Sequence, residues 1–456
     1  MEIWDQATAL HLERRYDEAE KLYDQLLTQN PNNSGLCATI GTLFLQTRRP
    51  GLAIHFLEAA RNGTLGKQAD VLSNLALAYK HAGMTEKAMD FFDASIKGDE
   101  VTAETLANYS GVLIESGQDE RCQEMCAQAI KENPGLSLAH WNLSLSLLAS
   151  GEWDRAWDEH EWGLKTHGMR ADRLVADIPV WDGTPGKTVH VYGEQGMGDE
   201  IMFASMLPDI LKTNSVVLEC HTRLKTLFEK SFPGVPCYGT REQQMRPEWA
   251  ENHKMDARLS IGSLGKFYRR SREAFPGIPY LSAEALPKGD RLRVGISWTG
   301  GGAKAGRVQK RSVPLSWWKP ILEQNDVEFI SLQYTDAAEE LDIAQALGRE
   351  IRVMDEYVKA EDYYETARLV KSCDLVISCC TSVIHLAGAL GVPCWVMTPR
   401  HPAWRYQNSG GMPWYRSVRL YRQPESKPET WKAVIHHVAH DLAGFISERK
   451  ALKLVA

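Results

Sequence analysis

The chain has 456 residues, a formal net charge of −7, and 43% hydrophobic and 24% charged residues, which is typical of a globular protein with two or three domains. The acidic balance argues against general nucleic-acid binding by the whole chain, and no apolar run approaches the ~20 residues that a membrane span needs. The first residues lack a basic and apolar signal pattern and the nine cysteines lack paired spacing, so we expect a cytoplasmic protein with reduced thiols and no metal site.

A 34-residue period runs through the first third of the chain. The period is kept by three glycines and by two sets of small residues: Gly83, Gly117 and Gly151; Ala76, Ser110 and Ser144; Ala88, Cys122 and Ala156. Two antiparallel helices approach closely only where small side chains lie at the contact, and each pair then buries its remaining apolar stripe on the next pair. The spacing therefore predicts about five stacked helical hairpins of the tetratricopeptide type over residues 1–166.

Such an array has two functional interpretations. Its concave face is typical of a groove that binds a protein or peptide, and alternatively the array is a scaffold or an oligomerisation element for the rest of the chain. Asn74, Asn108 and Asn142 also recur at intervals of 34 residues. Their amides either line a peptide groove or are ordinary polar groups on helix surfaces, and both alternatives stay open. A homo-oligomer is also possible from the sequence.

After a Pro- and Gly-rich segment at residues 179–185, the pattern changes to alternating strands and helices. The predicted strands cover residues 187–192 and 216–218, and the predicted helices cover residues 201–211 and 223–230. This alternation predicts a parallel α/β domain over residues 167–289.

The loop between the first predicted strand and helix is a candidate ligand site. Its glycines, which include Gly196 and Gly198, allow a ligand to approach the backbone. Asp199 follows at the helix start, where it is either a helix cap or a general base at the C-terminal edge of the sheet.

A second α/β domain is predicted over residues 290–456, after a proline-rich linker at residues 276–289. The loop at residues 299–312 combines four glycines with Lys304, Arg307, Lys310 and Arg311. A flexible cationic loop after a strand suits a diphosphate, and the alternative is a solvated run of charge.

A strand, a turn and a short helix follow one another at residues 375–390. The turn contains Thr381 and Ser382, and the helix that follows ends at Gly391 and Pro393. The unpaired N–H groups at the start of such a helix, together with two hydroxyl groups, predict an anion-binding site.

The segment from Asp374 to Pro393, with Thr381, Ser382 and His385, resembles the nucleotide-sugar site of the ADP-heptose–lipopolysaccharide heptosyltransferases, and Gly198-Asp199 followed by Pro208 resembles the first loop of that family. The whole chain resembles bacterial tetratricopeptide-repeat glycosyltransferases, and its layout is similar to that of O-linked N-acetylglucosamine transferases. The resemblance implies an α-solenoid followed by a GT-B pair of Rossmann-like α/β domains, with the active site in the cleft between them. It implies no metal and no cofactor, with a nucleoside-diphosphate sugar as co-substrate.

The resemblance also implies a role for individual residues. Asp199 matches the base that acts on the acceptor hydroxyl. The donor diphosphate is assigned to Lys310, Arg311, Thr381, Ser382 and His385. The nucleotide and sugar are assigned to Gln333, Met354, Asp355, Cys380 and Arg405. Cys380 stands where the family usually has Asp, which replaces an acceptor-only carboxylate with a weakly polar thiol.

These features together predict an inverting, metal-independent glycosyltransferase of the hexosyl or heptosyl type. The expected acceptor is a hydroxyl of a protein or peptide bound by the repeats, and a lipid-linked glycan is an alternative acceptor. The rival hypothesis is a non-catalytic repeat adaptor with a vestigial nucleotide-sugar domain, which Cys380 favours.

Overall fold

The computed structural model describes residues 3–65, 68–98, 101–173, 176–243, 247–300, 311–346 and 348–455. The chain divides into two compact units, Met1–Ser146 and Leu147–Ala456. The first contains helices alone among its described residues, and the second contains two parallel β-sheets with helices.

Ten helices occupy the described part of the N-terminal region. They are α1 (Ile3–Leu12), α2 (Tyr16–Gln29), α3 (Ser34–Gln46), α4 (Pro50–Asn62), α5 (Ala69–His81), α6 (Thr85–Ser95), α7 (Ala103–Glu115), α8 (Asp119–Glu132), α9 (Ser137–Ser150) and α10 (Trp153–His160). The first eight pack as four hairpins, each followed by the next along the chain. Gly41 shows why small residues are needed, because a β-carbon there would lie 2.5 Å from Leu57 Cγ of the partner helix. This region is therefore a helical repeat array, as the period predicts.

One turn geometry recurs after α1, α3, α5, α7 and α9. A residue with positive φ ends each of these helices: Arg14, Arg48, Gly83, Gly117 and Gly151. The N–H of the next residue then donates to the carbonyl five positions earlier, as Met84 N does to Tyr79 O at 2.9 Å. This is the Schellman motif, in which a left-handed residue closes the helix end. The glycine period predicts three of the five turns. The turns at the two arginines are not predicted, because arginine does not mark a position with positive φ.

Two of the three recurrent asparagines connect neighbouring hairpins. Asn74 Nδ2 donates to Thr42 Oγ1 at 3.2 Å. Asn142 Nδ2 donates to Ala107 O at 2.9 Å and to Ser110 Oγ at 3.0 Å. The amide donors thus hold adjacent helices together, and peptide binding by these residues stays a prediction.

The first sheet of the second unit has four parallel strands in the order β3-β2-β1-β4. The strands are β1 (Thr188–Tyr192), β2 (Ser215–Glu219), β3 (Cys237–Tyr238) and β4 (Ala257–Ser260), and the α-helices are α11 (Met197–Phe203), α12 (Leu207–Ile210), α13 (Lys225–Ser231) and α14 (Gly265–Tyr268). The single helix predicted over residues 201–211 is wrong. It is interrupted by the 3-10 turn Ala204–Met206, because Pro208 has no N–H with which to continue the α-helical bonding of the previous turn.

The second sheet has six parallel strands in the order β10-β9-β8-β5-β6-β7. They are β5 (Leu292–Ser297), β6 (Val327–Ser331), β7 (Ile351–Arg352), β8 (Leu375–Cys379), β9 (Cys394–Thr398) and β10 (Val418–Arg422). The helices are α15 (Lys319–Leu322), α16 (Ala338–Ala346), α17 (Asp355–Val358), α18 (Tyr363–Lys371), α19 (Ser382–Leu390) and α20 (Trp431–Val455). This is the doubly wound order: β6 and β7 follow β5 on one side of it, and β8, β9 and β10 follow on its other side. The switch point therefore lies between β5 and β8. Ligands of such folds bind beyond the C-terminal ends of the strands at this switch point.

Trp157 of α10 is buried within the second unit. Its indole Nε1 donates to Arg269 O at 2.7 Å. A β-carbon on Gly265 would lie 2.6 Å from the indole ring, so glycine at this position lets α14 approach the tryptophan.

Candidate functional site

A cavity of about 330 Å³ lies between the two α/β parts of the second unit. Its walls come from the loop after β1, from the residues after β6 and β8, and from the segment after β9. Nine of the residues predicted from sequence line it: Gly196, Gly198, Asp199, Arg311, Cys380, Thr381, Ser382, His385 and Arg405. Tertiary structure therefore brings together segments that are up to about 200 positions apart in the chain.

The starts of α11 and α19 approach closely at Gly198. A β-carbon there would lie 3.2 Å from His385 Cδ2 and 3.3 Å from Ser382 Cα. Glycine thus permits the contact that joins the loop carrying Asp199 to the turn after β8. This close approach is the physical reason why the glycine loop and the polar turn form one site.

The turn after β8 has the geometry of a helix start. Thr381 is the N-cap of α19 with extended backbone, and its hydroxyl lies 3.1 Å from Ser378 Oγ. Ser382 Oγ lies 3.3 Å from Tyr363 Oη of α18. The first-turn N–H groups of a helix have no partner within the helix and carry the positive end of its dipole, so this wall of the cavity suits an anion.

The cationic loop begins against the same turn. A β-carbon on Gly300 would lie 2.8 Å from Cys380 O, so the chain after β5 crosses directly over Cys380 and Thr381. Arg311 lines the cavity where the described chain resumes. Lys310, the other predicted diphosphate cation, lies outside the described residues.

Asp199 and Arg405 form an ion pair across the cavity. Asp199 Oδ2 also accepts a hydrogen bond from Gly196 N at 3.2 Å, which fixes the carboxylate at the start of α11. Burial lowers the pKa of Arg405, but the charge and hydrogen bond of Asp199, together with Tyr406 and Cys380, outweigh that effect, and the net shift of the pKa is upward. The guanidinium is therefore a permanent cation in the cavity wall.

Arg223 is a cavity residue that sequence reasoning missed. It follows β2, yet its Nη2 donates to Ala360 O at 2.8 Å and its Nε donates to Glu361 O at 3.3 Å. Its guanidinium also lies over the ring of Tyr363 at 5.4 Å. Arg223 thus links the two α/β parts beside the cavity. Its position just after a strand of the first sheet is the only signal that marks it in the sequence.

Aromatic side chains complete the cavity, and sequence reasoning missed them as well. Tyr334 follows β6, Tyr363 begins α18, and Tyr406 follows Arg405. Tyr406 is buried, whereas Tyr334 is 42% exposed. Flat aromatic rings next to a positively charged site for an anion offer a stacking surface for a planar group.

His385 is buried one helical turn beyond Ser382. Its Nδ1 lies 3.3 Å from Tyr415 Oη. Burial and the nearby charge of Arg405 lower the pKa of His385 to about 3. The imidazole is therefore neutral around neutral pH.

Cys380 presents a neutral thiol to the cavity. Burial raises the pKa of this thiol above its usual value, although Arg311, Arg405 and Arg422 act in the opposite direction. Its Sγ lies 3.9 Å from Met397 O of β9. The position therefore adds no negative charge to a strongly cationic wall.

Three predicted nucleotide-binding residues do not line the cavity. Gln333 is buried, and its Oε1 accepts from Trp298 N at 3.2 Å and Thr299 N at 3.1 Å. Asp355 forms a surface ion pair with Lys359 at 2.8 Å. Met354 is buried before α17. Gln333 thus holds the start of the loop after β5, and ligand binding by these three residues stays a prediction.

A buried ion pair supports the glycine loop from behind. Arg170 Nε donates to Glu194 Oε2 at 2.8 Å, and both side chains are 0% exposed. The same guanidinium donates to Ser260 Oγ and Ser263 Oγ. Because every charge here has a partner, the loop that precedes Asp199 is held rigidly.

Two further properties concern only the described part of the chain. No helix there is long and apolar enough to cross a membrane. Nor do three or more His, Cys, Asp or Glu side chains in that part come together in a way that would hold a metal ion.

The fold and cavity define a helical-repeat protein with a parallel-sheet α/β unit, and comparison with known proteins adds the following. The chain is similar to Protein FlbA of Caulobacter vibrioides (strain ATCC 19089 / CIP 103742 / CB 15), with 27% identity over 456 residues that cover 94% of this chain and 76% of the relative. No family model matches the chain. The resemblance to heptosyltransferases therefore stays a prediction.

Solved structures of repeat proteins show weaker likeness. MamA matches with a TM-score of 0.32 and 20% identity, covering 35% of this chain and 92% of MamA. YrrB, described as a TPR protein with an unusual peptide-binding site, matches with a TM-score of 0.30 and 14% identity, covering 35% and 81%. PilW, a type IV pilus biogenesis factor, matches with a TM-score of 0.34 and 11% identity, covering 46% and 84%. Because these scores are low, the repeat architecture rests on the hairpins and turns described above.

Proposed function

We propose that the α/β unit is a GT-B glycosyltransferase that binds a nucleoside-diphosphate sugar in the cavity. The observation that carries the proposal is the meeting of a carboxylate, Asp199, with an anion site formed by the start of α19, Arg311 and Arg405. An inverting transfer requires a base on the acceptor side and fixed positive charge that stabilises the departing diphosphate.

Each wall has a role in this reaction. The N–H groups and hydroxyls of Thr381 and Ser382 bind phosphate oxygens, and Arg311 neutralises the charge that develops on the leaving diphosphate. Asp199 takes the proton of the acceptor hydroxyl as its oxygen attacks the anomeric carbon and the bond from that carbon to the diphosphate breaks. Tyr334 and Tyr363 provide a stacking surface for the nucleobase.

The helical repeats are proposed to bind the acceptor as a protein or peptide segment. Stacked hairpins create an extended surface that suits a flexible chain. The name of the similar Caulobacter protein, Protein FlbA, states no substrate, so the acceptor is proposed from the architecture alone.

A non-catalytic nucleotide-sugar adaptor is the second candidate, and Cys380 favours it. A neutral thiol in the cavity wall offers weaker hydrogen bonding to sugar hydroxyls than a carboxylate does. The two candidates differ in turnover and agree in donor binding.

Calorimetric titration with UDP, ADP, GDP and one sugar conjugate of each tests the shared part. We expect one nucleotide series to bind, and we expect Arg311→Met to weaken that binding about tenfold because a charge-assisted contact to phosphate is lost. Arg155→Met is the matched control, because Arg155 pairs with Glu152 on an exposed surface. Absence of binding across the panel rejects both candidates.

Release of nucleoside diphosphate from the bound donor then separates the two candidates. The whole chain is incubated with the donor and candidate acceptor proteins, and acceptor mass is followed. Sugar-sized mass increments that require Asp199 favour the transferase. Tight donor binding with neither transfer nor slow donor hydrolysis favours the adaptor.

A further inference from the structure

A line of hydrogen bonds runs behind the cavity, between the helix of Asp199 and the helix of His385. Tyr280 Oη donates to Ile201 O at 2.5 Å. Tyr280 Oη and Tyr415 Oη lie 3.3 Å apart, and Tyr415 Oη lies 3.3 Å from His385 Nδ1. Tyr415 is 1% exposed and His385 is 4% exposed, so both groups depend on these partners.

The carbonyl oxygen of Ile201, at one end of this line, determines which group donates in each hydrogen bond. A carbonyl oxygen only accepts, so the Tyr280 hydroxyl proton points to Ile201. Tyr280 Oη can then only accept from Tyr415, whose single proton is thereby used. Tyr415 Oη in turn accepts from His385 Nδ1, which must carry the proton. A neutral imidazole has one N–H, and the lone pair therefore lies on Nε2.

Two observations keep this arrangement in place. Burial and Arg405 lower the pKa of His385 to about 3, opposed in part by Asp199, so a second ring proton is not held near neutral pH. Burial also raises the pKa of both Tyr280 and Tyr415 above the usual value, so the phenols keep their protons.

The Nε2 side of the ring faces away from Tyr415. A β-carbon on Gly198 would lie 3.2 Å from His385 Cδ2, the ring carbon bonded to Nε2, and His385 lines the cavity. Within the described part of the chain, the imidazole of His385 makes its hydrogen bond through Nδ1, to Tyr415 Oη. The acceptor Nε2 thus belongs to the side of the ring next to Gly198, in a residue that lines the cavity together with Asp199.

We propose that His385 Nε2 accepts a hydrogen bond from a hydroxyl of the donor sugar, and that Tyr415 and Tyr280 are positioning residues that hold the required tautomer. This inference rests on the proposed function. His385 lies one turn beyond the proposed diphosphate site at Ser382, so we place beside it the sugar that continues from the distal phosphate. A nitrogen lone pair repels a phosphate oxygen, so His385 belongs with the sugar and not with the diphosphate to which the resemblance assigned it.

The tautomer is tested by two-bond ¹H–¹⁵N correlation NMR on the full chain with ¹⁵N-labelled histidine. The signals of His385 are identified by their absence in His385→Gln. We expect a protonated Nδ1 and an unprotonated Nε2 at neutral pH, and a change toward the opposite tautomer in Tyr415→Phe. Tyr421→Phe is the control, because that hydroxyl bonds Asp441. A protonated Nε2 in the unmodified chain overturns the proposal, whether or not the variants fold.

The ligand is tested by paired titrations with UDP and UDP-N-acetylglucosamine, ADP and ADP-glucose, and GDP and GDP-mannose. In the series that binds, Tyr415→Phe is expected to weaken the sugar conjugate roughly five- to tenfold, the effect of one hydrogen bond. The affinity for the nucleoside diphosphate is expected to stay the same. Equal weakening of both ligands overturns the sugar assignment while leaving the proposed function standing.

Failure of the unmodified chain to bind any of the six ligands rejects the proposed function, and the sugar assignment falls with it. The NMR result is independent of ligand, so the two failures are distinguishable.

Discussion

Arg405 reaches across the cavity to Asp199, a residue 206 positions earlier in the chain, and neutralises its carboxylate. The two side chains are only 15% and 18% exposed. In the proposed reaction, a diphosphate bound at the start of α19 would compete with Asp199 for the same guanidinium. Donor binding would then free the carboxylate to accept a proton from the acceptor hydroxyl, which couples the two halves of the proposed reaction.

This competition predicts opposite effects of Asp199→Asn on binding and on turnover. Donor affinity is expected to stay the same or to rise, because Arg405 loses its competing carboxylate. Transfer is expected to fall by about 10²- to 10⁴-fold, the usual contribution of a general base. Calorimetry and intact-mass kinetics measure the two effects, and Asp326→Asn, in an exposed ion pair with Lys450, is the control. A parallel loss of affinity and turnover would contradict the competition.

Cys380→Asp tests the significance of the neutral thiol. A carboxylate beside Arg311 and Arg405 reduces the positive charge that attracts phosphate, so we expect nucleoside-diphosphate affinity to fall about tenfold. Cys380→Ser keeps the site neutral and is expected to change affinity less than about twofold. Titrations at two salt concentrations check the electrostatic cause, and equal effects of the two variants would refute it.

Gly198→Ala tests the close approach of α11 and α19. The new β-carbon would lie 3.2 Å from His385 Cδ2 and 3.3 Å from the Ser382 backbone. Relief of this crowding displaces one of the two loops, and we expect a loss of about 1 kcal/mol in the free energy of unfolding together with weaker donor binding. Gly289→Ala is the matched control, since its β-carbon would have no neighbour within 4 Å. Identical urea midpoints for the two variants would show that the contact tolerates a methyl group.

Glu219 gives the protein a predictable sensitivity to acid. Burial raises its pKa, but the close approach of His190 Nε2, at 3.3 Å, and hydrogen bonds from Arg173 and Thr240 outweigh burial and lower the pKa to about 2 from the usual 4.5. The unfolded chain therefore binds more protons than the folded chain between these values, so stability is full above pH 4.5 and is lost as the pH falls toward 2.

By pH 3 the loss from this carboxyl group amounts to about 2 kcal/mol. Urea unfolding at pH 7 and pH 3 should show this fall in the unmodified chain and lose it in Glu219→Gln. Glu229→Gln, at an exposed pair with Lys225, should keep it. An unchanged pH dependence in Glu219→Gln would mean that other groups dominate acid unfolding.

The turn geometry of the repeats predicts that a Gly→Ala substitution has opposite effects on stability at two different glycines. Gly83 has a φ of 80°, so Gly83→Ala is expected to destabilise the array by about 1 kcal/mol. Gly51 lies in α4 with open space around its β-carbon position, so Gly51→Ala is expected to stabilise the array by up to about 1 kcal/mol. Urea unfolding followed by helical circular dichroism measures both, and effects of the same sign would contradict the turn geometry.

Much of the fold was predictable because its determinants are local. Helical hairpins need small residues at fixed intervals, and Gly83, Gly117 and Gly151 supply that period. The alternation of strands and helices likewise predicts two parallel sheets. Strand β3 has only two residues, which is too short for any pattern, and Arg14 and Arg48 adopt the left-handed turn without the glycine that would reveal it.

Local sequence is enough to predict the repeat array, the order of the α/β elements and the residues of the polar turn, Thr381 and Ser382, because each depends on neighbours within one or two helical turns. Which distant groups share the cavity depends on how the whole unit packs. Arg223 contacts a carbonyl 137 positions away, and Tyr280 and Tyr415, 135 positions apart, set the proton on His385. Such partners are selected by packing and proton direction across the whole unit, and no local pattern of residues encodes them.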